Sequence, residues 1–137
     1  MTINRKSILV QSSTGSTMSL TTDKVEGDSY YGYTDGIQTF AVSYTDFKGR
    51  VYVQGTLALE PTDSDWFNIQ IQGGLPAVQG GYKQFPTTGT DGFTGVEAYT
   101  IQGNFTYLRV KMDRSYLGDG ETYLNSYGAI NYVRLSA

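Results

Sequence analysis

Residues 40–59 read FAVSYTDFKGRVYVQGTLAL, and this stretch carries the clearest folding signal in the chain. Apolar and polar residues alternate on both sides of the segment Asp46-Phe47-Lys48-Gly49. Alternation with a period of two is typical of a β-strand with one buried face, and Gly suits a tight connection between strands. The stretch therefore predicts two strands joined as a β-hairpin.

The same alternation predicts which side chains are buried. It runs through the second half of the stretch and returns in residues 67–71 and 104–112. Gly55 falls on the apolar side, which predicts a bulge or the close approach of another segment. The positions that we expect to be mostly buried are Val51, Val53, Leu57, Leu59, Phe67, Ile69, Ile71, Leu108, Val110 and Met112.

Further short strands are predicted outside these segments, at residues 7–11, 82–85, 96–101 and 129–135. No window shows a sustained helical repeat of apolar residues, and turn-forming Gly and Asp interrupt the chain throughout. Many short strands at regular spacing indicate a sandwich or barrel. We therefore predict an all-β protein, a single antiparallel β-sandwich domain of the jelly-roll type that spans residues 1–137.

The composition narrows the possible functions. The 137 residues include no Cys and no His, and the formal net charge is −3. The usual zinc sites, Ser-His-Asp triads and neutral-pH proton shuttles are therefore excluded, and we expect no enzymatic activity and no cofactor or metal. The acidic balance argues against nucleic acid as a partner. No apolar run is long enough for a membrane span, so we expect no membrane partner either.

Carboxylates are the remaining candidates for acid–base chemistry. Asp63 and Asp65 precede a strand, and Asp113, Asp119 and Glu121 cluster around a loop. Such residues could form turns, hold a calcium ion or hydrolyse a glycosidic bond. We favour turn formation, because Asp side chains bind nearby backbone amides, and we leave calcium binding open.

Aromatic residues supply the second group of candidates. The chain has 12 Tyr, and Tyr30, Tyr31 and Tyr33 lie between Gly and Asp residues in a predicted loop. With Trp66 they could form a stacking platform for sugar rings, but Tyr is also a common core and interface residue. We favour the core or interface interpretation, with Tyr30, Tyr31 and Tyr33 as candidate interface or glycan contacts and Trp66 as a structural residue.

Three basic residues near the C-terminus, Arg109, Lys111 and Arg134, lie on predicted strands. They could form a positive patch that receives an acidic partner. The alternative, which we favour, is that they form the solvated face of half-buried strands.

Residues 50–67, 103–112 and 128–135 together resemble small virion structural proteins of marine tailed phages, especially those of cyanobacterial hosts. The segments carry the elements Pro61 to Phe67, Gly103-Asn104-Phe105-Thr106 and a closing strand. The layout is also similar to galactose-binding-type jelly rolls. The resemblance covers residues 38–135 and implies a fold and a context, without any catalytic residue.

Two functional hypotheses follow. The first is a structural or decoration component of a tailed-phage virion (capsid, neck, tail or fibre) that is made in the host cytoplasm. It would form homo-oligomers and contact other virion proteins. The alternative is a carbohydrate-binding jelly-roll module that attaches to host glycans. A carboxylate-based glycosidase is a third and weaker hypothesis.

Overall fold

The computed structural model describes residues 7–15, 17–27, 37–71, 80–85 and 92–136. The candidate contacts Tyr30, Tyr31 and Tyr33 lie outside these ranges. The strands, in chain order, are β1 (Ser7–Gln11), β2 (Ser19–Thr21), β3 (Val25–Glu26), β4 (Ile37–Phe47), β5 (Gly49–Thr56), β6 (Phe67–Ile69), β7 (Lys83–Phe85), β8 (Phe93–Gln102), β9 (Tyr107–Asp113) and β10 (Ala129–Ser136).

These strands form two antiparallel sheets, which confirms the predicted all-β sandwich. The four-stranded sheet has the order β1-β10-β4-β8. The six-stranded sheet has the order β2-β9-β5-β6, with β3 also paired to β9 and β7 also paired to β5. Short 3-10 turns lie at Asp63–Asp65 and Asn125–Tyr127. Within the described ranges, no helix has the length and apolar character needed to cross a membrane.

The predicted hairpin is wrong, although both of its strands exist. β4 pairs with β8 and β10 in one sheet, whereas β5 pairs with β6, β7 and β9 in the other. The chain therefore turns a corner between the sheets at Phe47-Lys48-Gly49. The Lys48 amide donates to the Tyr127 carbonyl at 2.9 Å, and Gly49 has a φ of 155°. A Cβ at Gly49 would lie 2.7 Å from Cγ of Arg114, so glycine suits this corner.

The core lies between the two sheets, and Val51, Val53, Leu108, Val110 and Met112 are buried in it as predicted. The rings of Tyr44, Phe47, Phe85 and Phe93 cluster at one end, with centroids 4.7–5.8 Å apart. Ile71 is buried, and Ile69 is half-buried and packs against the core.

Three of the predicted core residues are exposed instead: Leu57 to 65%, Leu59 to 78% and Phe67 to 41%. β5 ends at Thr56, whose hydroxyl accepts a hydrogen bond from the Ala58 amide at 3.2 Å. Beyond that residue the chain leaves the sheet, so alternation no longer decides which side chain points inward.

Phe105 covers this end of the sandwich in their place. A Cβ on Gly55 would lie 2.9 Å from Cδ1 of Phe105 and 3.0 Å from Cδ1 of Ile69. The predicted close approach at Gly55 is therefore confirmed, and the pairing of β5 with β9 continues through it without a bulge. The Phe105 ring also contacts that of Phe67, with centroids 5.7 Å apart.

Arg114 is fully buried at the opposite end of β9, although no local sequence pattern predicts this. Its guanidinium donates to the backbone carbonyls of Gly15, Thr17, Tyr127 and Gly128, at 2.6–3.2 Å. One side chain therefore ties together the segment before β2, the end of β9 and the segment before β10.

Candidate functional site: a face of stacked cations

The solvent side of the six-stranded sheet carries an ordered set of basic and aromatic residues. β5 and β9 pair so that Arg50 lies opposite Asp113, Tyr52 opposite Lys111, and Gln54 opposite Arg109. The intervening residues of both strands are buried, so these half-buried side chains point away from the core. The outward orientation predicted for Arg109 and Lys111 is confirmed.

Each basic residue here lies over an aromatic ring. We call the set the stacked-cation face. Its cation-to-centroid distances are 4.7 Å for Arg50 over Tyr82, 4.4 Å for Arg50 over Tyr116, 5.4 Å for Lys111 over Tyr52, 4.2 Å for Arg109 over Trp66 and 5.2 Å for Lys24 over Tyr107.

Side-chain amides fix the two arginines of the face. Nε of Arg109 donates to Oε1 of Gln54 at 2.7 Å, and Nε2 of Gln54 donates to Oδ1 of Asn68 at 2.8 Å. Nε of Arg50 donates to Oε1 of Gln84 at 3.0 Å. Stacking and hydrogen bonding together hold both guanidinium groups in defined orientations, so part of their rotamer entropy is lost before any partner binds.

Two carboxylates, Asp63 and Asp113, lie close enough to the cations of the face to interact with them electrostatically. Burial lowers the pKa of Arg109, and the nearby charge of Asp63 partly opposes this. Burial alone would raise the pKa of Asp113, but hydrogen bonds from Ser115 and the charges of Lys111 and Arg50 outweigh it and lower the pKa. Among the described residues, the salt bridge that forms joins Lys83 to Glu97, away from this face. The face therefore holds oriented cations that are not ion-paired to any described carboxylate.

One end of the face opens into a groove of about 440 Å³. It is lined by Trp66, Arg109 and Lys24, by the carboxylates Asp23 and Asp63, and by Thr22 and Pro61. Trp66, expected to be a structural residue, is half-exposed just before β6 and supports Arg109. The structural role of Trp66 is thus to stack against Arg109 at the surface.

The basic patch, which was the less favoured of the two interpretations of Arg109, Lys111 and Arg134, is only partly assembled. Arg109 and Lys111 share the stacked-cation face, but Arg134 lies on β10 in the other sheet, where it is exposed and stacks on Tyr132 at 5.2 Å. Arg50 and Lys24 take its place. A sequence signal for Arg50 existed, because Arg50, Tyr52 and Gln54 alternate with buried residues just as Arg109 and Lys111 do.

Three of the five carboxylates named from the sequence, Asp65, Asp113 and Asp119, serve their own loops, as the turn interpretation predicted, whereas Asp63 lines the groove beside Arg109. Oδ2 of Asp65 accepts from the Thr62 amide at 2.7 Å, and Oδ1 of Asp113 accepts from the Ser115 amide at 2.9 Å. Asp119 accepts hydrogen bonds from Thr122 and Glu121, which lower its pKa to about 2. Within the described part of the chain, no three His, Cys, Asp or Glu side chains come together as a metal site.

A second polar network links the two sheets inside the molecule. Nζ of Lys83 and the hydroxyl of Tyr99 both donate to Oε2 of Glu97, at 2.6 and 2.8 Å, and the Tyr99 and Tyr44 hydroxyls are 2.9 Å apart. Burial raises the pKa of both tyrosines, so they stay protonated as donors. This network closes the sandwich between β7 and β8, and we assign it a structural role.

The chain matches no protein-family profile, no curated protein and no solved structure. The arrangement of residues on the stacked-cation face is therefore the basis for a functional proposal.

Proposed function

We propose that the protein is a non-catalytic structural component of a tailed-phage virion, present in repeated copies, that docks onto another virion protein through its stacked-cation face. The single observation that carries the docking step is the set of Tyr, Trp and Arg side chains held in place on one sheet. These residue types provide most of the binding energy in protein interfaces. The virion context is supported by the resemblance of residues 50–67, 103–112 and 128–135 to virion structural proteins.

Preorganisation strengthens the docking argument. Ordering a long side chain at an interface costs about 0.5–1.5 kcal/mol. Arg109 and Arg50 are already stacked on rings and bound to amide oxygens, so a partner meets groups that are largely ordered. A solvated sheet face has no need of such fixed geometry, and this favours the interface interpretation over the solvated-face interpretation.

The proposal is tested on particles of the phage that carries the gene, purified by density gradient. We expect mass spectrometry to detect the chain in the particle fraction in multiple copies. Particles that carry Arg50→Gln and Arg109→Gln together should incorporate less of the chain, whereas the Arg134→Gln control on the other sheet should incorporate it normally. Recovery of the wild-type chain only in the soluble fraction of the lysate would overturn the proposal.

A carbohydrate-binding module is the second candidate function, and the groove beside Trp66 favours it. A half-exposed indole next to Arg109 and Asp63 offers a ring face and polar groups in one concave site. A glycan array separates the two candidates. Glycan binding that Trp66→Ala abolishes, with particle incorporation unchanged, would favour the carbohydrate-binding function.

A further inference from the structure

The cations of the stacked-cation face are arranged as a line. Along the paired strands β5 and β9, Arg50, Lys111 and Arg109 occupy three successive outward rows, and Asp113 shares the row of Arg50. Lys24 lies over Tyr107, which occupies the next row, opposite Thr56. Outward rows in a sheet are two residues apart, or about 7 Å, so the line is about 20 Å long.

An extended peptide has the same repeat. Its alternate side chains point to one side and are also about 7 Å apart. A segment with carboxylates at every second position can therefore place one carboxylate near each cation, and the intervening side chains point away from the face.

The cations also have unused binding capacity. Arg109 spends its Nε on Gln54, and its terminal guanidinium nitrogens make no hydrogen bond within the described residues. No described carboxylate forms an ion pair with Lys24, Arg50, Arg109 or Lys111. The planar edge of a guanidinium suits a carboxylate, because two parallel N–H groups can donate to its two oxygens.

The aromatic rings favour an acidic peptide over an acidic polysaccharide as the partner. Arg109 covers one face of Trp66, Lys111 covers one face of Tyr52, and the Tyr82 ring lies 5.1 Å from that of Tyr52. A polysaccharide that stacks its sugar rings would have to compete with these contacts. A peptide that uses carboxylates can bind the cations and leave the rings as their supports.

We infer that the stacked-cation face binds an extended acidic segment of a partner protein, with carboxylates at alternate positions. The inference rests on the proposed function, because it specifies the partner's chemistry at the same face. It adds the requirement that the spacing of the acidic residues, and not only their number, determines binding.

The test uses three synthetic peptides of about ten residues as probes: alternating Glu and Thr, the same residues arranged as a Glu block followed by a Thr block, and alternating Gln and Thr. Affinity is measured by isothermal titration calorimetry with the intact chain at low salt and at about 0.3 M salt. We expect the alternating acidic peptide to bind at least about tenfold more tightly than either control, with weaker binding at high salt.

Variants assign the binding to the face. Arg109→Gln and Lys111→Gln should each weaken binding about tenfold, and Arg109→Lys should weaken it less because the charge remains. Arg134→Gln is the matched control, since Arg134 also stacks on a Tyr but lies on the other sheet, and it should bind normally. Circular dichroism of each variant checks that the fold is retained.

Three results would overturn the inference: equal affinity for the alternating and block peptides, an equal loss in Arg134→Gln, or tighter binding of polygalacturonate than of the peptide. The last result would identify an acidic glycan as the ligand. Detection of the chain in particles without a preference for the alternating peptide would refute this inference alone. Peptide binding by a chain that is absent from particles would instead refute the proposed virion function.

Discussion

Arg114 and Arg109 lie near opposite ends of β9 and show two uses of the same side chain. Both guanidinium groups stack on aromatic rings, Arg114 over Tyr123 at 5.1 Å and Arg109 over Trp66 at 4.2 Å. Arg114 has no exposed surface and directs its donors to backbone carbonyls. Arg109 is half-exposed and uses one donor for Gln54.

The difference lies in how the donors are used. A buried charge is tolerated only when hydrogen bonds replace its lost hydration, and the backbone carbonyls do so for Arg114. Arg114 therefore stabilises the fold and has no capacity left for a partner. Arg109 keeps donors at the surface that are available for binding, and we expect it to contribute little to stability.

The largest expected effect comes from Arg114→Met. The substitution keeps much of the volume but leaves the carbonyls of Gly15, Thr17, Tyr127 and Gly128 without this donor. We expect the free energy of unfolding to fall by about 3–5 kcal/mol, measured by urea denaturation. The matched control is Arg109→Met, which should cost less than about 1 kcal/mol. Similar losses in the two variants would contradict the comparison.

The same contrast between interior and surface applies to leucines. Leu108→Ala removes a side chain that is fully buried in the core, and we expect a cost of about 2–5 kcal/mol. Leu57→Ala changes a residue that is 65% exposed and should cost no more than about 0.5 kcal/mol. Urea denaturation of both variants is the measurement. A large loss in Leu57→Ala would mean that Leu57 is buried after all.

The smallest expected effect concerns the carboxylate of Asp119, which accepts hydrogen bonds from its own loop at the surface. Asp119 is fully exposed, and hydrogen bonds from its own loop lower its pKa to about 2. Because the pKa in the folded state lies below the usual value, its stabilising contribution is present above about pH 4 and is lost as the pH falls towards 2. Asp119→Asn should therefore flatten the dependence of Tm on pH in this range.

Thr122→Val refines this last measurement. It keeps the Asp119 carboxylate but removes the hydroxyl that donates to Oδ2 at 2.7 Å. We expect a pH dependence between those of the wild type and Asp119→Asn. If Asp119→Asn shows the same slope of Tm against pH as the wild type, the loop hydrogen bonds do not stabilise the fold.

The fold class was predictable because alternation is a local property of strands. It placed Val51, Val53, Leu108, Val110 and Met112 in the core correctly. Alternation does not specify which strands pair, and a corner between sheets has the same local pattern as a hairpin. The connection between β4 and β5 was therefore mispredicted. Its position depends on distant groups, notably the carbonyl of Tyr127 that accepts from Lys48.

The candidate site was predictable only in part. Arg109 and Lys111 alternate on one strand, so their shared face could be inferred from the sequence, but the rings beneath them come from other segments. Trp66 reaches Arg109 from the segment before β6. Arg114 carried no local signal at all, since its buried environment is assembled from four separate backbone carbonyls.

The position of β10 has a consequence for how the chain folds during synthesis. All strands of the six-stranded sheet have been synthesised once β9 ends at Asp113. The four-stranded sheet, by contrast, needs β10 between β1 and β4, with Ser136 opposite Ser7. On the ribosome, β1 must therefore wait for the last described strand before it can pair. Such long-range pairing is slow, and β4 keeps one edge unpaired until it occurs, which makes this the stage most exposed to aggregation.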